Sequence, residues 1–176
     1  DMAGFCTGIV EKKKVVDGSA IKPSDKVIAL ASSGLHSNGY SLVNYLLVRL
    51  KLKYAEHPEL LTPTTIYAPV VKRLLEEGDW IYGMAHITGG GLVENLPRCL
   101  PEGLRIDIDW NSWTVPEIFK EIQRQGNVDE EEMRRVFNLG VGYCVVVPSN
   151  RAELTMDIIR EEGIECWEIG EVYEGN

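Results

Sequence analysis

Residues 26–52 read KVIALASSGLHSNGYSLVNYLLVRLKL, and this stretch predicts the strand, loop and helix from which the fold class can be inferred. The apolar run at Lys26–Ala31 predicts a strand. Residues 39–52 then place leucines at positions 42, 46, 47 and 50, which is the spacing of one helix face. A strand that passes through a short loop into an amphipathic helix is typical of domains in which helices pack on a sheet.

Further elements follow from the same two patterns. Apolar runs bounded by turn residues predict strands at residues 4–11, 81–86, 104–108, 142–147 and 166–172. Helical spacing predicts helices at residues 65–77, 91–100, 115–124, 130–137 and 151–162. We expect Gly78 and Gly163 to end two of these helices. Ser149 or Asn150 is expected to cap the start of the last one.

Strands interleaved with helices predict one domain, residues 1–176, of the α+β class. Only a loop separates the predicted strands at 4–11 and 26–31, so a strict βαβ alternation is not expected. We therefore expect α/β/α layers around a mixed sheet. The chain starts with Asp1 and runs at once into a predicted strand, so we also expect it to be cut out of a longer protein.

The composition excludes two classes of partner. The formal net charge is −9, and Lys12–Lys14 is the one cluster of basic residues, so neither nucleic acid nor an anionic membrane surface is expected. No apolar stretch approaches the roughly 20 residues of a membrane span, and no signal peptide is visible. With 176 residues, 44% of them hydrophobic, the chain can bury the core of one domain.

The four cysteines show none of the paired spacing of a zinc site, so no metal site is predicted from them. Cys6, Cys144 and Cys166 lie in predicted strands, and Cys99 lies on a predicted helix. We expect all four to be small, reduced core residues of a cytoplasmic protein.

The segment between the first strong strand and its helix has the composition of an anion-binding loop. Small residues let the backbone approach a ligand closely, and a helix start presents N–H groups at the positive end of the helix dipole. The candidate phosphate-binding residues of this first loop, defined as residues 32–39, are Ser32, Ser33, Gly34, Ser37, Asn38 and Gly39. The structural alternative is a polar turn in which Ser37 or Asn38 caps the helix. His36 is either a structural residue or a phosphate donor or proton-transfer group.

A second loop, defined as residues 86–91, repeats this design within MAHITGGGLVEN at residues 84–95. Three consecutive glycines indicate close approach by a ligand or another domain, since a purely structural loop rarely needs them all. The segment is neither a P-loop nor a dinucleotide GxGxxG motif. Its candidate site residues are His86, Thr88, Gly89, Gly90 and Gly91. Two strand-to-helix loops with one histidine each predict a single site at one edge of the sheet.

Two further segments receive mainly structural interpretations. Asp129 is expected to cap the helix at 130–137, with Glu132 at capping-box distance, and we prefer this to metal binding. The glycines at 140 and 142 are expected to admit a close neighbour. His57 is expected on the surface, and residues 52–63 and 109–113 show no recognisable chemistry.

The motifs SSGLHSNGYSL at residues 32–42 and MAHITGGGLVENLPR at residues 84–98, together with DMAGF at residues 1–5, resemble the phosphoribosylformylglycinamidine cyclo-ligase, or AIR synthetase, family. Segments 126–128 with Met133, and 137–142, also resemble that family, and the order is the same. The glycine loops alone also fit the wider superfamily of formylglycinamidine ribonucleotide synthetase, selenophosphate synthetase, and the hydrogenase and thiamine-phosphate kinase relatives.

The resemblance implies a carboxy-terminal half with α/β/α layers, closing over the active-site cleft of an enzyme that uses ATP and Mg²⁺. That enzyme converts formylglycinamidine ribonucleotide to aminoimidazole ribonucleotide. It implies a homodimer formed chiefly through an amino-terminal half that is absent here and that holds the metal ligands. It also implies that both loops line the cleft and that His36 or His86 assists proton transfer during ring closure or polarises the oxygen being phosphorylated. Two alternatives stay open: another superfamily enzyme, and a non-catalytic domain whose glycine loops dock a partner.

Overall fold

The computed structural model describes residues 4–175 as five strands and six helices joined by short 3₁₀ turns and loops. The strands are β1 at Lys26–Ala31, β2 at Gly83–His86, β3 at Leu104–Ile108, β4 at Val141–Val147 and β5 at Cys166–Glu174. The helices are α1 at Tyr40–Leu50, α2 at Ala68–Glu77, α3 at Gly91–Asn95, α4 at Glu117–Gly126, α5 at Glu130–Val136 and α6 at Ala152–Glu161. Five of the six predicted strands and all six predicted helices are confirmed.

The sheet has the strand order β2-β4-β1-β5-β3, and every neighbouring pair is antiparallel. The α+β class is therefore confirmed, but the prediction of a mixed sheet is wrong. β1, β2 and β3 all run the same way, yet none of them are neighbours, because β4 and β5 lie between them in the opposite direction. β1 and β2, for example, run in the same direction, but β4 lies between them in the opposite direction, so they do not pair with each other.

The predicted strand at residues 4–11 is not formed, although its apolar pattern suggested one. A strand needs a partner for its backbone groups, and this segment pairs with nothing in the part of the chain that is described. Its large side chains Phe5 and Ile9 are fully exposed. Cys6 is also exposed, which corrects the expectation of a buried Cys6. Asp1, and the rest of the family motif before Gly4, lie outside the described residues.

The α/β/α layers are confirmed, because each face of the sheet carries its own apolar core. On one face α2 and α6 cover Ile28, Leu30, Val145 and Val147. On the other, α3 and the 3₁₀ turn at Leu96–Cys99 cover side chains such as Val27. A third cluster joins α1, α4 and α5 around the edge-on rings of Phe119 and Phe137.

The predicted helix ends are partly confirmed. Gly78 follows the last residue of α2, and Gly163 has a positive φ with its N–H donating to the carbonyl of Arg160 at the end of α6. The prediction that Ser149 or Asn150 caps α6 is wrong, because these residues form a 3₁₀ turn that precedes Ala152. Likewise Asp129 stands at the start of α5 without a side-chain capping bond, so the predicted capping box is absent.

The topology places two strand ends side by side. β1 and β2 run in the same direction on either side of β4, so both reach the same edge of the sheet at their carboxyl ends. The first loop leaves β1 there, and the second loop leaves β2. Across residues 4–175 no helix has the length and apolar character needed to cross a membrane.

Candidate functional site

The two predicted loops meet at this edge of the sheet. A Cβ built on Gly89 of the second loop would lie 3.6 Å from Oδ1 of Asn38 in the first loop. The sequence-based prediction that both loops share one edge is therefore matched by the geometry. The hydroxyl-bearing residues Ser33 and Ser37 are exposed there, and so is His86.

A buried asparagine holds the start of the first loop. Asn138, 1% exposed, donates from Nδ2 to the carbonyl of Gly34 at 2.8 Å. Its Oδ1 accepts from the Ser32 hydroxyl at 3.0 Å and from the Gly140 N–H at 2.8 Å. The Ser32 N–H in turn donates to the carbonyl of Gly140 at 2.8 Å. Because one side chain satisfies three groups, the loop and the turn before β4 form one unit.

The backbone of the first loop is left-handed at successive residues. His36 and Ser37 have φ of 50° and 61°, and Gly39 has φ of 75°. Such conformations are costly for residues with a Cβ, and they cluster where a ligand or a switch demands them. Asn38 donates to the carbonyl of His36 at 2.7 Å, and the position before α1 is Gly39, with no side-chain capping bond. The alternative in which Ser37 or Asn38 caps α1 is therefore not what the structure shows.

His36 is a buried histidine whose Nε2 is already used. The ring is 4% exposed, and Nε2 accepts from the N–H groups of Ser33 at 3.0 Å and Thr65 at 3.3 Å. Backbone N–H groups can only donate, so Nε2 carries no hydrogen and the proton of the neutral ring is on Nδ1. Nδ1 is buried and has no hydrogen-bond partner among residues 4–175. Burial, and secondarily the charge of nearby His86, lower the pKa of His36 to about 4.

The second loop is held by an equivalent asparagine. Asn95, 4% exposed, donates from Nδ2 to the carbonyl of Gly91 at 2.7 Å, and its Oδ1 accepts from the Thr88 hydroxyl at 3.3 Å. Two of the three glycines are required by the chain itself. Gly90 has φ of 99°, and a Cβ on Gly91 would lie 2.0 Å from the carbonyl oxygen of Arg134. Gly89 is the exposed one, facing the first loop.

His86 lies in a cluster of aromatic rings. Its ring centroid is 6.2 Å from that of Tyr67 and 6.1 Å from that of Tyr143. Burial raises the pKa of both tyrosines, so both stay neutral hydroxyls over the physiological range. The Tyr67 hydroxyl donates to the carbonyl of Ala31, the last residue of β1, at 2.6 Å. The Tyr67 side chain therefore links the end of β1 to the histidine at the end of β2.

Gly142 lies at the contact between the two loops. The β1–β4 register passes from Leu30↔Tyr143 to Ala31↔Val141, so Gly142 is the extra residue of a bulge. A Cβ on Gly142 would lie 2.1 Å from the Tyr67 hydroxyl oxygen and 2.6 Å from Cε1 of His36. Its carbonyl accepts from the N–H of Ile87 in the second loop at 2.9 Å. The prediction that glycine here admits a close neighbour is confirmed.

Sequence reasoning missed one whole part of the site, the segment at residues 63–67. The Ser33 hydroxyl donates to the carbonyl of Pro63 at 2.6 Å, Thr65 donates to His36, and Tyr67 reaches Ala31. Pro63 fell in the stretch 52–63, for which no chemistry was recognised, and residues 65–67 fell in the predicted helix at 65–77. In the structure these residues contact the first loop. The available signal was a tyrosine and two threonines beside Pro63, just before a helix. Asn95 and Asn138 lie within the family motifs, but nothing in the sequence indicated that their side chains hold the two loops.

Acidic residues do not form a metal centre in the described part of the chain. Within residues 4–175, no group of three or more His, Cys, Asp or Glu side chains is placed to hold a metal ion. Glu130, at the start of α5, forms an ion pair with Arg134 one turn further along the helix, which is a structural role. The loops themselves contain no Lys or Arg. Their ligand-facing chemistry consists of backbone N–H groups, hydroxyls, an amide and imidazole.

Solved structures define the class to which this fold belongs. Thiamine-monophosphate kinase from Stenotrophomonas maltophilia K279a aligns with a TM-score of 0.67 and 14% identity over 95% of this chain and 53% of that one. Hydrogenase maturation protein HypE in complex with ATP gives 0.62 and 22%, over 89% and 44%. T. maritima PurL complexed with FGAR gives 0.60 and 16%, over 93% and 26%. The chain therefore has the layered α+β fold found in these proteins.

Within that class the sequence identifies one family. The profile of "AIR synthase related protein, C-terminal domain" matches residues 22–176, and the chain belongs to this family. It is 52% identical over 99% of its length to the phosphoribosylformylglycinamidine cyclo-ligase of Pseudothermotoga lettingae, and 44% identical over 99% to that of Rippkaea orientalis. The chain covers 54% of each of these proteins, so it spans about half the length of the curated relatives it matches.

Proposed function

We propose that this chain supplies the carboxy-terminal half of a phosphoribosylformylglycinamidine cyclo-ligase, which uses ATP to convert formylglycinamidine ribonucleotide to aminoimidazole ribonucleotide in purine biosynthesis. The names of the relatives support this activity. The observation that carries the proposal is the meeting of the two family motifs at one sheet edge, joined through Gly142, with His86 open to solvent. Both loops leave the carboxyl ends of strands that run the same way, which brings their exposed groups together at this edge.

The proposed ligand contacts are those of an anion or phosphate. The first loop opens α1, an 11-residue helix, whose first N–H groups and dipole favour negative charge. The hydroxyl of the exposed Ser37 and the second amide N–H of Asn38 add neutral donors, and the Ser33 hydroxyl, which donates to Pro63 here, would have to turn to donate to a ligand. The second loop contributes the backbone around exposed Gly89. The full proposed set is Ser32, Ser33, Gly34, Ser37, Asn38, Gly39, Thr88, Gly89, Gly90 and Gly91, with His36 and His86 beside them.

ATP and Mg²⁺ belong to this proposal in different ways. Structures in the same fold class are described with ATP or an ATP analogue, which supports a nucleotide in the cleft of the whole enzyme. The two loops contain no Asp or Glu, the side chains that usually hold Mg²⁺, and residues 4–175 contain no group of three or more metal-ligating side chains. We therefore place the Mg²⁺ ligands largely in the amino-terminal half and assign no step of this chain to the metal. A cytoplasmic homodimer, formed chiefly through that half, completes the proposal.

A chimera tests the proposed function. The matching half of the Pseudothermotoga lettingae cyclo-ligase is replaced by this chain, and the product is assayed for ATP-dependent formation of aminoimidazole ribonucleotide and ADP. We expect turnover that is lost when either half is left out. A chimera that is folded, and dimeric like its parent, but forms no aminoimidazole ribonucleotide would exclude the cyclo-ligase and leave the docking-domain alternative.

A further inference from the structure

The two histidines of the site differ in what their ring nitrogens are free to do. In His36, Nε2 accepts two backbone N–H groups and the ring is enclosed. In His86 the ring is exposed, and neither nitrogen enters a hydrogen bond within residues 4–175. A group that takes a proton from a ligand needs a free lone pair, and one that gives a proton needs an N–H, in either case within reach of the ligand. Only His86 meets this requirement.

We propose that His36 is a positioning residue, fixed as the Nδ1–H tautomer, and that His86 is the histidine that exchanges a proton with the ligand in the cleft. The inference rests on the proposed function, because it assigns roles within the same site. It also adds residues 63–67 as the element that fixes His36, through Pro63, Thr65 and Tyr67.

The positioning role follows from what His36 holds together. Its Nε2 ties Ser33 of the first loop to Thr65 of the covering segment, at 3.0 and 3.3 Å. Its ring edge and the Tyr67 hydroxyl both lie within 3 Å of the point where a Gly142 side chain would begin. Protonation of Nε2 would turn it into a third donor facing the N–H groups of Ser33 and Thr65, which would then lose their acceptor at this partly buried position.

The proton-exchange role follows from the position of His86. Its ring is held against Tyr67 and Tyr143 at centroid distances near 6 Å, so its place is set by packing while its nitrogens stay open. Titratable groups near it include these two tyrosines and His36. In the step we assign, the free lone pair of the neutral ring takes a proton from a ligand nitrogen. The ring becomes imidazolium, the electron pair of the broken N–H bond stays on the ligand nitrogen, and the proton passes on to solvent.

Kinetics of the chimera separate the two roles. We expect His86→Gln to lower kcat by about 100-fold or more with little change in KM. His36→Gln keeps an oxygen that can accept from Ser33 and Thr65, so kcat should fall by less than about tenfold, within the range of modest positioning effects. His36→Phe, which cannot accept, should raise KM and lower kcat further than His36→Gln does. His57→Gln, on the surface and outside the site, serves as the matched control.

Nitrogen-15 NMR of this chain, labelled in histidine, tests the tautomer without any need for turnover. We expect His36 to show a protonated Nδ1 and an unprotonated Nε2 that stay unchanged when inorganic phosphate or formylglycinamidine ribonucleotide is added. The His86 signals should shift on addition. The inference is overturned if His36 carries its proton on Nε2, or if His36→Gln loses as much kcat as His86→Gln. An inactive wild-type chimera with the expected His36 tautomer would instead count against the cyclo-ligase function alone.

Discussion

His36 gives the folded chain a dependence on pH that can be measured directly. The unfolded chain binds a proton at this residue near pH 6.5, whereas the folded chain binds it only near pH 4. Between these values the unfolded state binds more protons, so the free energy of unfolding rises with pH. The contribution of His36 is fully present above pH 6.5 and is lost as the pH falls towards 4.

Urea unfolding at several pH values between 4 and 7 should show this slope, at most about 1.4 kcal/mol per pH unit for one proton. His36→Gln should flatten it. Equal slopes in the parent chain and in His36→Gln would mean that His36 is not buried as a neutral ring.

Gly142 offers a second test at the scale of one residue. Adding a methyl group by Gly142→Ala forces the Tyr67 hydroxyl and the His36 ring to move, since each lies closer than a real Cβ contact allows. We expect a loss of about 1–3 kcal/mol in the free energy of unfolding, the usual range for overpacking a core. Gly8→Ala, where nothing lies within 4 Å, is the matched control and should be nearly neutral. A neutral Gly142→Ala would contradict the close packing described here.

At the scale of elements, Asn138 joins the first loop to the turn before β4. Asn138→Ala leaves the Gly34 carbonyl, the Gly140 N–H and the Ser32 hydroxyl without their side-chain partner. Each buried group left unsatisfied costs about 1–3 kcal/mol, so thermal unfolding should shift markedly downward. The exposed Asn111→Ala is the matched control. Similar melting temperatures for the two variants would show that the turn does not depend on this side chain.

Element positions could be predicted from periodicity, because the apolar spacing of β1 and α1 reflects the core that each side chain enters. The exception at residues 4–11 has the right pattern but pairs with no strand of residues 4–175, and pairing is not a local property. The cap of α6 was mispredicted, since Ser149 and Asn150 lie in a 3₁₀ turn before the helix. The contacts of residues 63–67 with the first loop join positions about 30 residues apart, and local spacing carries no signal for them.

At the scale of the whole molecule, anion binding distinguishes a ligand site from loops that merely dock a partner. Inorganic phosphate at a hundred times its dissociation constant should stabilise the chain by about 2.7 kcal/mol. For a domain of this size that corresponds to a rise in Tm of roughly 5–10 °C. Ser33→Ala and Asn38→Ala should reduce the rise while leaving the ligand-free Tm close to that of the parent.

Asn150→Ala is the control for this experiment, because its 3₁₀ turn follows β4 at the opposite edge of the sheet. If Ser33→Ala and Asn38→Ala both keep the full rise, the pocket has been placed wrongly. No rise in the parent chain itself would favour docking loops.

The layered architecture was predictable from the order of the elements, whereas the sheet direction was not. Alternating strands and helices require helices on both faces, and α2, α6 and α3 meet that requirement. Direction depends on which strand is inserted between β1 and β2, and the sequence does not show that β4 takes that place. The shared edge was still predicted, because it needs only that both strands run the same way.

The bulge at Gly142 makes the two motifs thermodynamically dependent on each other. Its missing side chain admits Tyr67 and His36, and its carbonyl holds Ile87 of the other loop. Substitutions at His36 and Ile87 should therefore be non-additive in a double-mutant cycle, although these residues belong to different motifs. Coupling energies of about 0.5–3 kcal/mol are usual for residues that share such a contact. A substitution in one motif would then cost less stability when it is accompanied by a compensating substitution in the other.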